Sequence, residues 1–289
     1  MPDQHRLFFA DRTQLFLSTL DSSGQPWATL LEGQRGFVTS PTPARLAIAA
    51  TLPAGDPAAE GLLDGAPIGC LGIEFETRRR NRANGTVRLG NKDFVIEVER
   101  SFGNCPRYIQ ARRPAGSFSV QDSGDAPGRA LRTEALSHDD RHLIERSDTF
   151  FIASRSATPG AARSEGLDIS HRGGRPGFVL ADDGRNLRFP DYRGNSYFNT
   201  LGNLSVDPRC SILFLDFATG ATLQIGGRGR VMNEPEAFRI WPGAERSVGI
   251  EVDTVVKTER RSKLRYEFLG FAPQFDGTND ALTRDDHTS

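Results

Sequence analysis

The chain of 289 residues is long enough for one large domain or two ordinary domains of roughly 100 to 150 residues each. Its 36 basic and 37 acidic side chains nearly cancel, to a formal net charge of −1, so no overall field favours nucleic acid or a membrane surface as a partner. No window approaches the roughly 18 apolar residues that span a bilayer, and the first residues lack a signal-peptide pattern, so we expect a cytoplasmic protein.

The predicted elements form one pattern that occurs twice. In the first copy, two apolar strands and a turn rich in Gly, Pro and Ser run from Leu15 to Val38. In the second copy, the same order runs from Phe150 to Val179 with a longer turn. A short helix is predicted before each copy, and Ser137 is the expected N-cap of the second helix.

A second pair of matching segments follows in each copy. Residues 65–89 and 207–232 each contain a β-rich run through a cysteine, a polar turn and a returning strand, which is typical of antiparallel hairpins. Cys70 and Cys210 are interpreted as equivalent buried positions, and the Asn-Gly pair at 84–85 as a tight turn. We therefore predict a mainly β protein with a few helices, in which each copy is a meander closed into a small barrel.

Composition suggests where the domains end. The first domain is predicted over 1–115, a linker rich in Pro, Gly and Ser over 116–136, the second domain over 137–272 and a mobile tail over 273–289. A further helix is predicted within 233–243.

The three cysteines are scattered and form no Cys-x-x-Cys pair. This pattern excludes a disulfide framework and argues against zinc or an iron–sulfur cluster, so we expect reduced thiols and predict no metal ligands.

The stretch FPDYRGNSYFNTLGNL at 189–204 places an Arg-Gly-Asn step directly after an apolar strand. A glycine beside an arginine lets backbone N–H groups converge on an anion that the guanidinium grips, which is how phosphate is often held. A solvated loop with no ligand is the alternative.

The segment from Asp168 to Phe217 resembles the FMN-binding split barrel of the pyridoxamine 5′-phosphate oxidase-like superfamily. RRRNRANG at 78–85 and SFGNCPRYIQAR at 101–112 are similar to the tandem, two-barrel branch of that group. Together these segments cover most of residues 8–260. The resemblance implies two tandem split β-barrels with one FMN seated between them; a homodimer with the flavin at its interface is the alternative.

The resemblance also implies which residues hold the flavin. Arg193 would grip the phosphate and Gly194 would permit close backbone approach, while Arg172 or His171 would place positive charge near the ring. For His171, an exposed turn position is the alternative. The full set of candidate cofactor-binding residues is Ser170, His171, Arg172, Arg175, Gly177, Phe178, Val179, Tyr192, Arg193, Gly194, Asn195, Ser196, Phe198, Asn199 and Asn203.

Two segments of the first copy are candidates for the mouth of the cleft. The basic run at 78–82 either attracts an anionic substrate or is a solvated hairpin tip. The candidate residues for the cleft or substrate are Arg79, Arg80, Arg82, Asn104, Cys105, Tyr108 and Gln110.

The resemblance implies an FMN-dependent oxidoreductase or electron-transfer protein with a small-molecule substrate. NAD(P)H or a separate reductase would supply electrons, and no catalytic acid–base residue is predicted, because the cofactor carries the reaction. The alternative is a protein that stores or senses flavin, the deazaflavin F420 or haem without turnover. A degenerate site in a structural partner is a third hypothesis, and no pyridoxamine-phosphate oxidase activity is expected.

Overall fold

The structure is a computed structural model that describes residues 1–91, 93–115, 128–156, 166–194 and 199–276. The helices and strands of the first half are α1 (Asp3–Ala10), β1 (Gln14–Leu20), β2 (Pro26–Glu32), β3 (Val38–Thr42), β4 (Arg45–Ile48), β5 (Pro67–Glu74), β6 (Arg79–Leu89), β7 (Phe94–Gly103) and β8 (Ala111–Pro114), with a 3-10 helix at Pro57–Gly61.

The second half repeats this order with one additional helix and one additional strand. Its elements are β9 (Leu131–Thr133), α2 (His138–Arg146), β10 (Thr149–Arg155), β11 (Leu167–Gly173), β12 (Leu180–Ala181), β13 (Asn186–Tyr192), α3 (Asn199–Val206), β14 (Arg209–Leu215), β15 (Thr222–Met232), β16 (Ala244–Thr258) and β17 (Tyr266–Gly270), with 3-10 helices at Pro235–Ala237 and Pro273–Phe275.

The predicted mainly β fold is confirmed, with one correction to its closure. The two antiparallel sheets run β2-β1-β5-β6-β7-β4-β3 and β11-β10-β14-β15-β16-β13-β12. All seven strands of the first sheet contribute side chains to one apolar core, so the sheet is strongly curved around it. Among the described residues, however, no pairing joins the two edge strands of either sheet, so the prediction of closed barrels was wrong.

A separate apolar cluster contains side chains from both halves and holds the halves together. Phe16 of β1 stacks on Phe151 of β10, with ring centroids 3.4 Å apart and planes inclined by 14°. Leu30, Leu71 and Leu213 belong to the same cluster and are all buried. Because β1 and β10 take the same place in the two sheets, this stack marks an approximate twofold axis between the copies.

The Asn-Gly pair at 84–85 lies inside β6 and is not the tight turn that the sequence suggests. The pairing of β6 with β7 shifts register between Asn84 and Gly85, which is a β-bulge. A side chain on Gly85 would collide with the carbonyl oxygen of Glu97. The second half has the same bulge at Gly226 and Gly227, so both copies use glycine for the same close approach of strands.

Strand register also corrects the equivalence of two cysteines. Cys70 pairs with Leu17, whereas the residue opposite the corresponding Ile152 is Ile212. Cys210 is therefore displaced by two residues along its strand, although both thiols are fully buried.

The helix before the second copy is confirmed in detail. Ser137 caps α2 by accepting from the backbone N–H of Asp140, whose carboxylate accepts from the backbone N–H of Ser137. The helix expected within 233–243 is reduced to the short 3-10 helix at Pro235–Ala237.

The C-terminal segment returns to the first half. Strand β17 pairs with β8, and the backbone N–H of Ala272 donates to Oε1 of Gln110 at 2.8 Å. Phe275 is 5% exposed, so the mobile tail predicted from residue 273 does not include Pro273–Phe275. Residues 277–289 of that tail, and 116–127 of the predicted linker, lie outside the described residues.

Candidate functional site

A cleft of about 280 Å³ lies between the two halves, where charged side chains from both halves meet. This volume is close to the lower end of the roughly 300 to 1,000 Å³ that small-molecule sites enclose. Its lining residues are Arg80, Arg82, Asn104, Cys105, Arg107, Tyr108, Ser170, His171, Arg172, Gly173, Phe178, Pro190, Asp191, Tyr192, Arg193, Gly194, Thr200, Leu201 and Glu245.

Arg82 connects the halves by a buried ion pair. Its Nη1 lies 3.2 Å from Oδ2 of Asp168, and its Nη2 donates to Oγ of Ser170 at 2.7 Å. Both side chains of the ion pair are 7% exposed. Burial lowers the pKa of Arg82, and the charge of Asp168 opposes that change.

Arg80 is a cation without a carboxylate partner among the described residues. Its Nε donates to the carbonyl oxygen of Cys105 at 3.0 Å, and its Nη1 lies 3.1 Å from Nδ1 and 3.3 Å from the carbonyl oxygen of His171. Burial, followed by the charges of Arg82 and Arg172, lowers the pKa of Arg80 to about 9. The guanidinium therefore remains protonated at neutral pH and brings net positive charge into the cleft.

His171 is a neutral side chain inside this positive region. It is 4% exposed, so it is not the exposed turn residue considered as an alternative. Burial, followed by the charges of Arg80 and Arg112, holds the pKa of His171 well below its usual value of 6.5. Neutral imidazole is thus the form at physiological pH.

The positive charge of Arg172 is compensated by a carboxylate of β13. Its Nη1 lies 2.7 Å from Oδ1 of Asp191, and a guanidinium nitrogen of Arg246 lies 3.8 Å from Oδ2 of the same carboxylate. Asp191 itself is 6% exposed.

Four polar atoms of the lining residues are buried and have no hydrogen-bond partner among the described residues. They are Nε of Arg82, Oδ1 of Asn104, Nε2 of His171 and Nε of Arg172. Buried polar groups in proteins are nearly always hydrogen-bonded, so unpaired groups that line one cleft indicate a polar ligand there.

Aromatic side chains flank the cleft beside Arg193. Tyr108 has a positive φ of 65°, which is uncommon outside glycine. Its ring stacks on that of Tyr192 with centroids 5.3 Å apart, and its hydroxyl donates to the carbonyl oxygen of Arg193 at 2.9 Å. A side chain on Gly173 would collide with the carbonyl oxygen of Tyr108, so glycine is required there.

The phosphate-type step is partly described. Arg193 and Gly194 are exposed and line the cleft, whereas Asn195, Ser196 and Phe198 lie outside the described residues. Among the described residues, a side chain on Gly194 would meet only the carbonyl oxygen of Tyr192, at 3.9 Å.

Four predicted residues of the second half have structural contacts away from the cleft. Val179 is fully buried in the core, and Gly177 has a φ of 85° in the turn before it. Arg175 donates to the carbonyl oxygen of Phe275 at 2.9 Å. Asn203 of α3 donates to Oγ of Ser154 at 3.1 Å.

Three further candidates do not line the cleft. Asn199 begins α3. Arg79 alternates with Arg80 along β6, and its guanidinium lies 5.4 Å from the ring centre of Phe8. Gln110 is fully buried, and its Nε2 donates to the carbonyl oxygen of Gly174 at 3.0 Å.

Sequence reasoning missed several residues of the cleft. The missed residues are Arg107, Gly173, Pro190, Asp191, Thr200, Leu201 and Glu245. Asp191 had a signal, because it lies within the same FPDYRGN stretch as Arg193. Glu245 comes from β16, far along the chain, and nothing local in the sequence marks it.

The twofold axis generates a second, equivalent position that is built differently. Phe16 and Phe151 are equivalent in the two halves, so the residues that pair with each of them in the neighbouring strands are also equivalent. The second position carries Leu30 in place of His171, Trp27 in place of Asp168, Gln224 in place of Arg82 and Thr222 in place of Arg80. Arg261 occupies it, donating to the carbonyl oxygen of Leu30 and lying 3.5 Å from Asp56.

Two curved antiparallel sheets that share a core and enclose a charged cleft define a protein of the split-barrel class. Residues 136–273 match the family model described as pyridoxamine 5′-phosphate oxidase. The second half of the chain belongs to the pyridoxamine 5′-phosphate oxidase-like superfamily, which confirms the resemblance seen in the sequence.

Solved structures similar to part of this chain were also found. HupZ from Group A Streptococcus is 12% identical with a TM-score of 0.32, and the match covers 47% of this chain and 98% of HupZ. The FAD binding protein from Mycobacterium smegmatis is 12% identical with a TM-score of 0.30, covering 44% and 98%. A protein of the pyridoxinephosphate oxidase family from Clostridium acetobutylicum is 9% identical with a TM-score of 0.32, covering 45% and 92%.

None of the curated protein sequences compared with the chain matches it. Within the part of the chain that the structure describes, no helix has the length and apolar character needed to cross a membrane.

Proposed function

We propose that the chain is a flavin-binding protein of the tandem split-barrel kind, which holds one FMN in the cleft between its two halves. The observation that carries this proposal is the set of unpaired buried polar atoms on Arg82, Asn104, His171 and Arg172, which line one cleft beside the excess charge of Arg80. Family membership of the second half supports the choice of a flavin.

The residues of the cleft fit the different parts of FMN. A doubly charged phosphate suits the exposed guanidinium of Arg193 and the open backbone at Gly194. The ring has polar edges with both donors and acceptors, which suit Nε2 of His171, Nε of Arg172 and Oδ1 of Asn104. Phe178 and Leu201 supply apolar surface in the same lining.

The proposed activity is oxidoreduction or electron transfer. When bound, a flavin supplies hydride or electron transfer, and the chain supplies binding, orientation and charge. Arg107 and Arg193 lie beside Tyr108 and Tyr192, so an anionic small molecule or a nicotinamide nucleotide is the ligand class that this region would attract.

The first test is the chromophore of the purified protein. We expect a yellow preparation that releases a compound with the mass of FMN after denaturation. FAD or deazaflavin F420 in its place would correct the cofactor and keep the site, whereas a colourless protein that fails to bind added FMN would refute the proposal. Bleaching by NADH or NADPH under anaerobic conditions would support the oxidoreductase.

Replacement of Arg193 tests the phosphate site. Arg193→Ala should weaken FMN binding by roughly 1.5 to 3 kcal/mol, the range for a hydrogen bond to a charged group, as measured by fluorescence titration. Riboflavin, which lacks the phosphate, should lose almost nothing in the same variant. Arg132→Ala is the matched control, because Arg132 is an exposed arginine of β9 outside the cleft lining. Equal FMN affinity in wild type and Arg193→Ala would remove Arg193 from the site.

The second candidate function is flavin or F420 binding without turnover. Its support is that the three carboxylates in or beside the cleft, Asp168, Asp191 and Glu245, all lie within ion-pair distance of an arginine. None of them is an unpaired general acid. A flavin that no nicotinamide donor and no reductase reduces would favour this function.

A further inference from the structure

Arg80 fixes which nitrogen of His171 can act as an acceptor. Its Nη1 lies 3.1 Å from Nδ1 of His171 and 3.3 Å from the carbonyl oxygen of the same residue. The guanidinium therefore contacts both the ring and the backbone of His171. A guanidinium has N–H donors and no acceptor. Nδ1 must therefore accept, and it cannot carry a proton while this contact lasts.

The surroundings of His171 keep the ring neutral. Arg80 and Arg82 face it from β6, Arg112 from β8, and Arg172 lies next to it on β11. The ring of Phe151 on β10 meets it edge to face with centroids 5.7 Å apart.

The neighbouring carboxylates do not offset this field at the imidazole. Asp168 pairs with Arg82, Asp148 pairs with Arg112 and Asp191 pairs with Arg172. Arg80 alone of these arginines has no carboxylate partner among the described residues. A second proton on the imidazole is therefore opposed by burial and by uncompensated positive charge.

A neutral imidazole has one proton, and with Nδ1 accepting, that proton must be on Nε2. Nε2 is buried and has no hydrogen-bond partner in the part of the chain that the structure describes. The residue lines the cleft. A residue that lines the cleft thus carries an N–H donor with no acceptor among the described residues.

We infer that Arg80 is a positioning residue: it locks His171 as the Nε2–H tautomer, so that the cleft offers this N–H to an acceptor atom on the edge of the bound flavin ring. This inference rests on the proposed function for the identity of the ligand. The tautomer itself is a property of the chain and is measurable without any ligand.

The direct test is nitrogen-detected NMR of the histidine rings in the intact chain, which has five histidines. We expect His171, assigned by its absence in His171→Gln, to show a protonated Nε2 and an unprotonated Nδ1 across the neutral pH range. Arg80→Lys keeps a donor and should keep this tautomer, whereas Arg80→Met should give a mixture of the two tautomers. Arg88→Met is the matched control, because Arg88 lies on the same strand, 58% exposed, beside Asp64.

Two results would overturn the inference. One is a wild-type His171 ring protonated on Nδ1 or on both nitrogens. The other is a tautomer in Arg80→Met that is identical to that of the wild type. Should Arg80→Met fail to fold, the wild-type spectrum alone still decides the tautomer.

A ligand experiment tests the donor role. His171→Gln retains an N–H donor at the end of a side chain of similar reach and should bind FMN within about threefold of wild type, whereas His171→Leu should bind about threefold to tenfold more weakly, as expected for one neutral hydrogen bond. Equal binding by His171→Leu and wild type would overturn the donor role. Failure of the wild type to bind FMN would instead refute the proposed function and leave the tautomer result standing.

Discussion

His171 shows how burial and local charge set the properties of a single residue. A histidine in the pattern Ile-Ser-His-Arg gives no sign of its neighbours, because Arg80, Arg82 and Arg112 come from strands more than 50 residues earlier in the chain. The sequence did identify the residue as a candidate through family resemblance. Its buried position, its neutral state and its contact with Arg80 depend on how the two halves pack.

The buried neutral imidazole should make stability depend on pH. Because the pKa of His171 is well below 6.5 in the folded chain, the unfolded chain binds a proton first as the pH falls. The free energy of unfolding should therefore decrease below about pH 6.5, by up to about 1.4 kcal/mol for each pH unit, until the folded state also binds the proton.

Urea unfolding at about pH 7.5 and about pH 5.5 measures this loss. His171→Gln lacks the titrating group and should lose about 1 kcal/mol less between the two values than the wild type does. An equal loss in both proteins would show that carboxylates alone cause the acid destabilisation.

At the level of strands and helices, periodicity and turn residues made the repeat visible. The paired apolar runs were enough to predict the hairpins of both copies, and Ser137 marked the start of the capped helix α2. The Asn-Gly pair was misread because a tight turn and a bulge both favour glycine, and only the partner strand distinguishes them. Because of this error, the length of β6 was not recognised. The alternation of side chains along β6, which places Arg80 and Arg82 at the cleft and Arg79 away from it, was therefore missed.

The bulge in β6 should tolerate no side chain. Gly85→Ala places a Cβ against the carbonyl oxygen of Glu97, so a backbone shift costing about 1 to 3 kcal/mol of unfolding free energy is expected. Gly202→Ala in α3 is the control, because no atom of the described residues lies within 4 Å of an added Cβ there and alanine favours helix. Thermal unfolding of the two variants should show a clear loss for the first and none for the second. Similar melting temperatures would mean that the bulge adapts.

At the scale of the whole molecule, the two halves share one fold order and enclose a charged cleft between them. The sequence suggested one flavin per chain because the Arg-Gly-Asn step occurs only in the second copy. The structure adds a second argument for one site per chain, which no local sequence pattern contains. Arg261 and neutral side chains occupy the position that is equivalent to the charged cleft. The arrangement of the two halves could not be read from either half alone.

Binding should therefore saturate at one FMN per chain. Because the cleft is built from two halves of the same chain, occupancy at saturating FMN should not fall when the protein is diluted. Calorimetric titration gives the ratio, and absorbance of the flavin in the protein peak after gel filtration at several concentrations gives the dependence on dilution. Two flavins per chain, or loss of bound flavin in step with dissociation of a dimer, would contradict this arrangement.

The pairing of β17 with β8 has a consequence for the order in which the protein is made. Synthesis proceeds from the N-terminus, so the segment carrying Asn104 and Tyr108 leaves the ribosome long before its supports at Ala272 and Phe275 exist. The wall of the cleft around Tyr108 is therefore held in place only after residues 266–275 have been synthesised.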